Sequence, residues 1–319
     1  MRGVAPFEFP CPRASRHTGG PRRVVNRVAF SNPAFVAGGG GACASNSSSV
    51  VALRGEGEKE PLFLIHGVDG SIGRFQELVR CLEPDQPAYG IQSQALLPDR
   101  TALTKVEDMA RYYLSEVRAV QPRGPYHFLG YSFGGLVAFE MARQLHCFGD
   151  RIGLLGMLDT RRMAPLTVLG GSEQQENRLG RGWSYAAFHL KRVLSTTGLQ
   201  YAKEKVRARG LRTAYTLLDS VHLPIPRFLQ SAADINWFAA VHYAPQFFPG
   251  RVTVFQAMES PDDARHSYDR WARLAGEGVE VREISGHHED VLVEPHVRLL
   301  AGEVSHCLAR HVTRQPGTN

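Results

Sequence analysis

From Val50 onward, short apolar runs alternate with stretches in which apolar residues recur every three to four positions. "PLFLIHG" (61–67) is apolar up to a His-Gly pair, which predicts a buried strand entering a turn. "AYGIQS" (88–93) predicts a second strand, and "FQELVRCL" (75–82) between them has helical spacing. "VEDMARYYLSEVRAV" (106–120) is an amphipathic helix with Val106, Met109, Ala110, Tyr113, Leu114 and Val117 on one face. Then come a strand in "YHFLG" (126–130), a helix through "LVAFEMARQL" (136–145) and a strand in "IGLLGMLD" (152–159). The strands "RVTVFQA" (251–257) and "VEVREI" (279–284) follow much later, and "HVRLLAGEVSHCLARHV" (296–312) closes the pattern as a helix. Continuously apolar strands separated by helices imply a mostly parallel sheet covered on both faces, so the expected class is α/β.

Two regions break the alternation. Residues 161–243 carry helical patterns only, in "WSYAAFHLKRVLS", "YAKEKVRARGLRTAYTLLDS" and "RFLQSAADINWFAAVHY". An all-helical insertion after one strand of a parallel sheet is expected to cap the carboxyl edge, where ligands bind in such folds. A separate helical domain is the alternative. Residues 1–49, rich in Gly, Pro, Ser and Arg with no sustained period, read as a disordered basic tail. The alternatives for that segment are a linker remnant or an Arg-rich targeting segment. A short tail is expected again over 313–319.

Composition narrows the picture only slightly. At 319 residues, 43% hydrophobic and 21% charged, the chain matches an ordinary globular protein with no apolar run long enough to span a membrane. Its five cysteines (Cys11, Cys43, Cys81, Cys147 and Cys307) show no C-x-x-C spacing, which fits a reducing compartment and a cytoplasmic location. The net charge of +6 is misleading as a clue to an acidic ligand. Residues 1–54 hold seven arginines, one acid and no lysine, which is the whole excess. Nucleic acid is therefore not an expected partner of the body of the chain.

The chemistry centres on Gly130-Tyr131-Ser132-Phe133-Gly134, a G-x-S-x-G pattern at the join of a predicted strand and a predicted helix. A nucleophile elbow forces its serine into a strained backbone and needs small neighbours so that strand and helix pass closely. Gly130 and Gly134 meet that need, and Gly135 adds room. A nucleophilic serine needs a general base and an orienting acid, brought by the fold from later in the chain. "EISGHHEDVLVEP" offers His287 and His288 in a turn after a late strand, while His296, His306 and His311 lie on the closing helix. The consecutive "HHED" residues crowd one loop and make a poor metal site, so no metal is expected. For the acid, Asp159 ends one strand, and Glu259, Asp262 and Asp263 follow another, so position alone permits either. An oxyanion hole needs the N–H of the residue after the serine, Phe133, and one from the loop His66–Gly73. Val68 is the candidate there, with Gly67 close behind.

Together "PLFLIHG", "GYSFGGLVAFEMARQL", "LLGMLDT", "FPGRVTVFQA" and "GHHEDVLVEPHV" resemble the thioesterase domains of nonribosomal peptide synthetases and polyketide synthases, across roughly 50–310. The resemblance implies an α/β-hydrolase fold with a helical lid, spanning 50–312 with the lid at about 161–243. It implies release of an acyl or peptidyl chain from a carrier protein's phosphopantetheine, by hydrolysis or cyclisation, through a Ser132, Asp159 and His288 triad with no cofactor of the enzyme's own. Aligning Gly286 and Pro295 with the family's histidine motif selects His288. It leaves His287 where an aspartate is common and Glu289 where an aromatic is common. The family's acid follows the strand after the nucleophile, which selects Asp159. Trp183, Phe188 and Trp237 are the expected substrate-binding residues of the lid. Residues 161–219 hold eleven basic residues against four acids, so Lys203, Lys205 and Arg207 are expected to dock an acidic carrier protein. "GYSFGG" resembles product-releasing domains more than free-standing editing thioesterases, which more often read G-H-S-M-G. A carrier-independent carboxylesterase or lipase is the other reading of the same triad. The sequence leaves the oligomeric state open.

Overall fold

Apolar runs form the strands β1 (Val50–Arg54), β2 (Leu62–Ile65), β3 (Ala88–Ile91), β4 (Tyr126–Tyr131), β5 (Ile152–Leu158), β6 (Val252–Ala257) and β7 (Val279–Ile284). The computed structural model describes residues 48–160, 210–259 and 267–312, apart from isolated positions within those ranges, and all of them lie in the unit Ser47–Asn319. The strands make one seven-stranded sheet in the order β1-β3-β2-β4-β5-β6-β7. Only β1 runs antiparallel to its neighbour; every other neighbouring pair is parallel. Every residue of β2, β4 and β6 is buried, as strands packed on both faces require.

The described helices are α1 (Gln76–Cys81), α2 (Val106–Val120), α3 (Phe133–Cys147), α4 (Ala232–His242), α5 (Ser267–Ala272) and α6 (His296–Val312). One core joins a sheet face to α2, α3, α4 and α5, with Phe128, Phe139, Met141, Phe238 and Trp271 at its centre. The other joins the opposite face to α1 and α6, around Phe75, Leu129, Phe255, Leu300 and Val304. All six positions expected on the inner face of α2 are buried there. Each large side chain so buried contributes about 1.5–3 kcal/mol of transfer free energy.

Three details depart from the expected elements. β1 was not anticipated as a strand: it is a half-exposed edge with a bulge between Ala52 and Arg54. Ser48 and Ser49, read as the end of the tail, hydrogen-bond the Glu116 carboxylate of α2 and fix the start of β1. The helix expected across "RFLQSAADINWFAAVHY" begins only at Ala232, where the Ser231 hydroxyl caps the Asp234 N–H at 3.4 Å. α5 has too few residues to show a period. No described helix is long and apolar enough to cross a membrane.

Because β2, β4, β5, β6 and β7 are parallel, the loops that follow them emerge at one edge of the sheet. These loops carry Val68, Ser132, Asp159, Glu259 and His288 respectively.

Candidate active site

Ser132 stands between the end of β4 and the start of α3, with φ 54° and ψ −115°. Such a backbone costs a non-glycine residue about 1–3 kcal/mol and persists only where its surroundings enforce it. Here the Ser132 N–H donates to Leu158 O at 2.8 Å, and Ser132 O accepts from Gly135 N at 3.1 Å. The flanking glycines permit the close approach. A Cβ on Gly130 would sit 2.2 Å from Gly134 O, and one on Gly134 would sit 2.4 Å from the carbonyl oxygens of Ile65 and His66. Gly135, expected only to add room, faces the side chain of Thr160, whose Oγ1 would lie 1.9 Å from an added Cβ. Glycine there lets α3 pass against the loop that carries Asp159.

His288 Nδ1 meets Asp159 Oδ2 at 2.5 Å. Asp159 is 4% exposed, itself at positive φ (42°), and its N–H donates to Phe255 O at 2.8 Å. A carboxylate accepts, so Nδ1 carries the proton and Nε2 is left as the ring's basic atom. Tyr131 joins this pair to the serine. Its ring stacks on that of His288 with centroids 5.0 Å apart and 21° between planes, and its hydroxyl donates to His288 O at 2.9 Å. Burial pushes the Tyr131 phenol well above its ordinary pKa, so it remains a donor. Ser132 is the next residue in the chain. Its hydroxyl makes no hydrogen bond to His288 among the described residues; such contacts commonly tighten only when substrate is bound.

The rival residues go elsewhere. His287 is exposed, and its two nitrogens face Glu259, at 2.9 Å from its carbonyl oxygen and 3.0 Å from its carboxylate. Glu259 thus pairs with His287, while Asp262 and Asp263 lie outside the described residues. Glu289, at a position where an aromatic is common, pairs with Arg74 at 3.0 Å in solvent. His296 accepts or donates at Ser285 Oγ, 2.8 Å away, and its ring packs against the backbone of Gly286. That contact shapes the start of the His288 loop.

The oxyanion candidates occupy two backbone positions. Phe133 is the first residue of α3, where N–H groups have no intrahelical acceptor and the positive end of the helix dipole lies. Val68 belongs to the loop after β2. In that loop the Gly67 carbonyl accepts from Gly70 N at 3.1 Å and from His66 Nδ1 at 2.6 Å. In a trans peptide the N–H points opposite to the C=O, so these two bonds set the direction of the Val68 N–H. His66 is fully buried with its Nε2 3.0 Å from Tyr113 OH, and burial lowers its pKa to about 4. It is a neutral structural histidine.

Trp237 is half-buried on α4; Trp183, Phe188, Lys203, Lys205 and Arg207 lie outside the described residues. Among the described residues no cluster of His, Cys, Asp and Glu is arranged to hold a metal ion. Tyr131, His66 and Asn236, whose amide contacts Val68, were missed from the sequence. Their only signals were a variable position inside G-x-S-x-G, a histidine before a glycine, and a polar residue within a largely apolar helix.

Comparison with known proteins supplies an independent line. A family model described as a thioesterase domain matches residues 60–306. Malpinin synthetase of Mortierella alpina is 28% identical over 272 residues, which is 81% of this chain and 3% of that protein. The chain thus spans a small fraction of that relative. The crystal structure of a four-domain nonribosomal peptide synthetase bound to AMP and glycine has a TM-score of 0.60 and 25% identity, over 84% of this chain and 20% of that one. The NocB thioesterase domain, solved as a covalent complex with a fluorophosphonate nocardicin G analogue, has a TM-score of 0.55 and 22% identity, over 83% of this chain and 100% of that one.

Proposed function

The chain belongs to the thioesterase domain family, and on that premise we propose that Ser132, His288 and Asp159 form a triad releasing an acyl or peptidyl chain from a carrier protein. As a thioesterase the protein is a hydrolase acting on thioesters, and its fold is the α/β-hydrolase fold. The observation that carries the residue assignment is the 2.5 Å His288–Asp159 pair, at the same sheet edge as the strained Ser132 elbow. The synthetase relatives support a carrier-bound substrate.

In this reading His288 Nε2 takes the Ser132 proton as Oγ attacks the thioester carbonyl. The N–H groups of Phe133 and Val68 hold the oxyanion, and Asp159 stabilises the imidazolium. Collapse breaks the C–S bond, the phosphopantetheine thiolate takes the proton from His288, and an acyl-enzyme remains. Water, deprotonated by His288, attacks the ester; Ser132 recovers its proton and a free acid leaves. A hydroxyl or amine of the chain itself in place of water gives a ring. No group beyond the substrate's own phosphopantetheine is needed.

The test is intact-mass analysis after mixing the protein with an acylated carrier protein and, separately, a fluorophosphonate. Both reagents are expected to add mass at Ser132 and to add none in Ser132→Ala. Relative to the native chain, His288→Ala is expected to lose about 10⁴-fold or more in kcat and Asp159→Asn about 10³–10⁴-fold. His287→Ala is expected to retain activity. Undiminished turnover in Ser132→Ala, or a His287 variant as impaired as His288→Ala, sinks the assignment. A higher kcat/KM for a simple p-nitrophenyl ester than for an acyl-pantetheine would make the protein a carrier-independent esterase.

A further inference from the structure

The oxyanion loop is held on one side by a helix of the insertion. Asn236 of α4 is fully buried, and its Nδ2 donates to Val68 O at 3.0 Å. A carbonyl oxygen only accepts, so the amide nitrogen must face Val68. The contact is supported along the loop. Ser93 N donates to Gly70 O at 2.9 Å, and a Cβ on Gly70 would lie 2.7 Å from Ser93 Cβ and 3.2 Å from Ala232 Cβ, at the start of α4. The peptide before Val68 is pinned through Gly67 O by His66 and Gly70, and the peptide after it is pinned by Asn236. The Val68 N–H therefore has its direction set from both sides.

We propose that Asn236 is a positioning residue for the oxyanion site, fixing the Val68 N–H through the Val68 carbonyl and so tying the last helix of the insertion to transition-state stabilisation. The inference rests on the serine-thioesterase reading above. A second observation sets Asn236 apart from a residue kept for packing. Its Oδ1 is buried with no hydrogen-bond partner among the described residues. A buried amide satisfied at only one end is unfavourable compared with an apolar side chain of similar size. α4 is otherwise rich in apolar residues, with Ile235, Phe238, Ala239 and Ala240 buried. What asparagine supplies at this position is the donor to the Val68 carbonyl.

The experiment uses the full chain, hexanoyl-N-acetylcysteamine thioester as substrate, and 2-phenylethylboronic acid as the transition-state analogue. The boronate adduct on serine places an oxygen in the oxyanion site. Hexanoyl-cysteamine amide serves as the ground-state analogue. Rates are normalised to the serine titrated by fluorophosphonate, so partial misfolding of a variant does not enter. In Asn236→Leu, and in the smaller Asn236→Ala, kcat is expected to fall about 10–100-fold with KM within about threefold. The boronate inhibition constant should rise by the same factor, and amide binding should not change. Retained kcat and boronate affinity in both variants overturn the inference, as does equal weakening of boronate and amide. Neither result touches the assignment of Ser132, which its own alanine variant tests separately.

Discussion

At the residue scale, His66 shows how one buried side chain links the site to stability. Gly67 O accepts from Nδ1, so the proton sits there, and the lone pair of Nε2 accepts from Tyr113 OH. Adding a proton at Nε2 would place a charge in the core, and this burial is the cause of the fall in pKa from 6.5 to about 4, against the raising effects of the Gly67 bond and Asp69. A histidine with a lowered folded-state pKa binds fewer protons folded than unfolded. Its contribution is therefore present above pH 6.5 and lost as pH falls towards 4, by about 3 kcal/mol in full. Urea unfolding between pH 7.5 and 4.5 is expected to show most of this loss in the native chain, and a smaller one in His66→Asn. Equal pH slopes in the two proteins would remove His66 as the source. Tyr131 makes the complementary point about legibility. Within "GYSFG" it is one of the two free positions, and nothing local shows that its ring stacks on a histidine 157 residues later.

At the element scale, α3 and α4 are joined by a buried acid. Glu140, 1% exposed on α3, accepts from Arg143 Nε at 2.9 Å and Nη2 at 2.7 Å, from Gln144 Nε2 at 2.8 Å, and from Tyr243 OH at 3.0 Å, just beyond α4. Four donors meet the buried carboxylate and offset the cost of taking it out of water. Burial, and then the neighbouring Glu140 charge, hold the Tyr243 phenol far above its ordinary pKa. Tyr243→Phe removes one charge-assisted bond and is expected to cost about 1.5–3 kcal/mol in urea unfolding. A double-mutant cycle with Glu140→Gln should show the two residues coupled; additive effects would mean the bond contributes nothing. The period of α3 made the helix legible, since eleven of its fifteen residues are buried. Its buried glutamate was not legible, because Glu140 is satisfied partly by a tyrosine from another element. β1 escaped notice for a different reason: its apolar run is only four residues long, Val50 to Leu53, and directly abuts the Ser-rich end of the tail.

At the scale of the whole molecule, charge and topology separate. The +6 excess falls in residues 1–54, and the basic surplus of 161–219 falls in the insertion, so the remainder is acidic. If the insertion meets an acidic carrier, charge reversal at Lys203, Lys205 and Arg207 slows turnover of a carrier-bound acyl chain about tenfold at low salt, by slowing encounter. It leaves the N-acetylcysteamine thioester unaffected, and equal losses on both substrates would rule the docking role out. The sequence by itself determined the α/β class, the elbow serine, and the loops from which a base and an acid must come. These follow from period, glycine spacing and chain order, all of which are local or one-dimensional properties. It did not by its own residues choose His288 over His287 or Asp159 over Glu259; the family resemblance did that. What the tertiary structure adds is a pairing: a parallel sheet delivers the loops after β5 and β7 to one edge, and there His288 meets Asp159 while its neighbour turns out to Glu259. Only packing between distant elements decided that Tyr131 stacks on His288 and that Asn236 bonds the Val68 carbonyl.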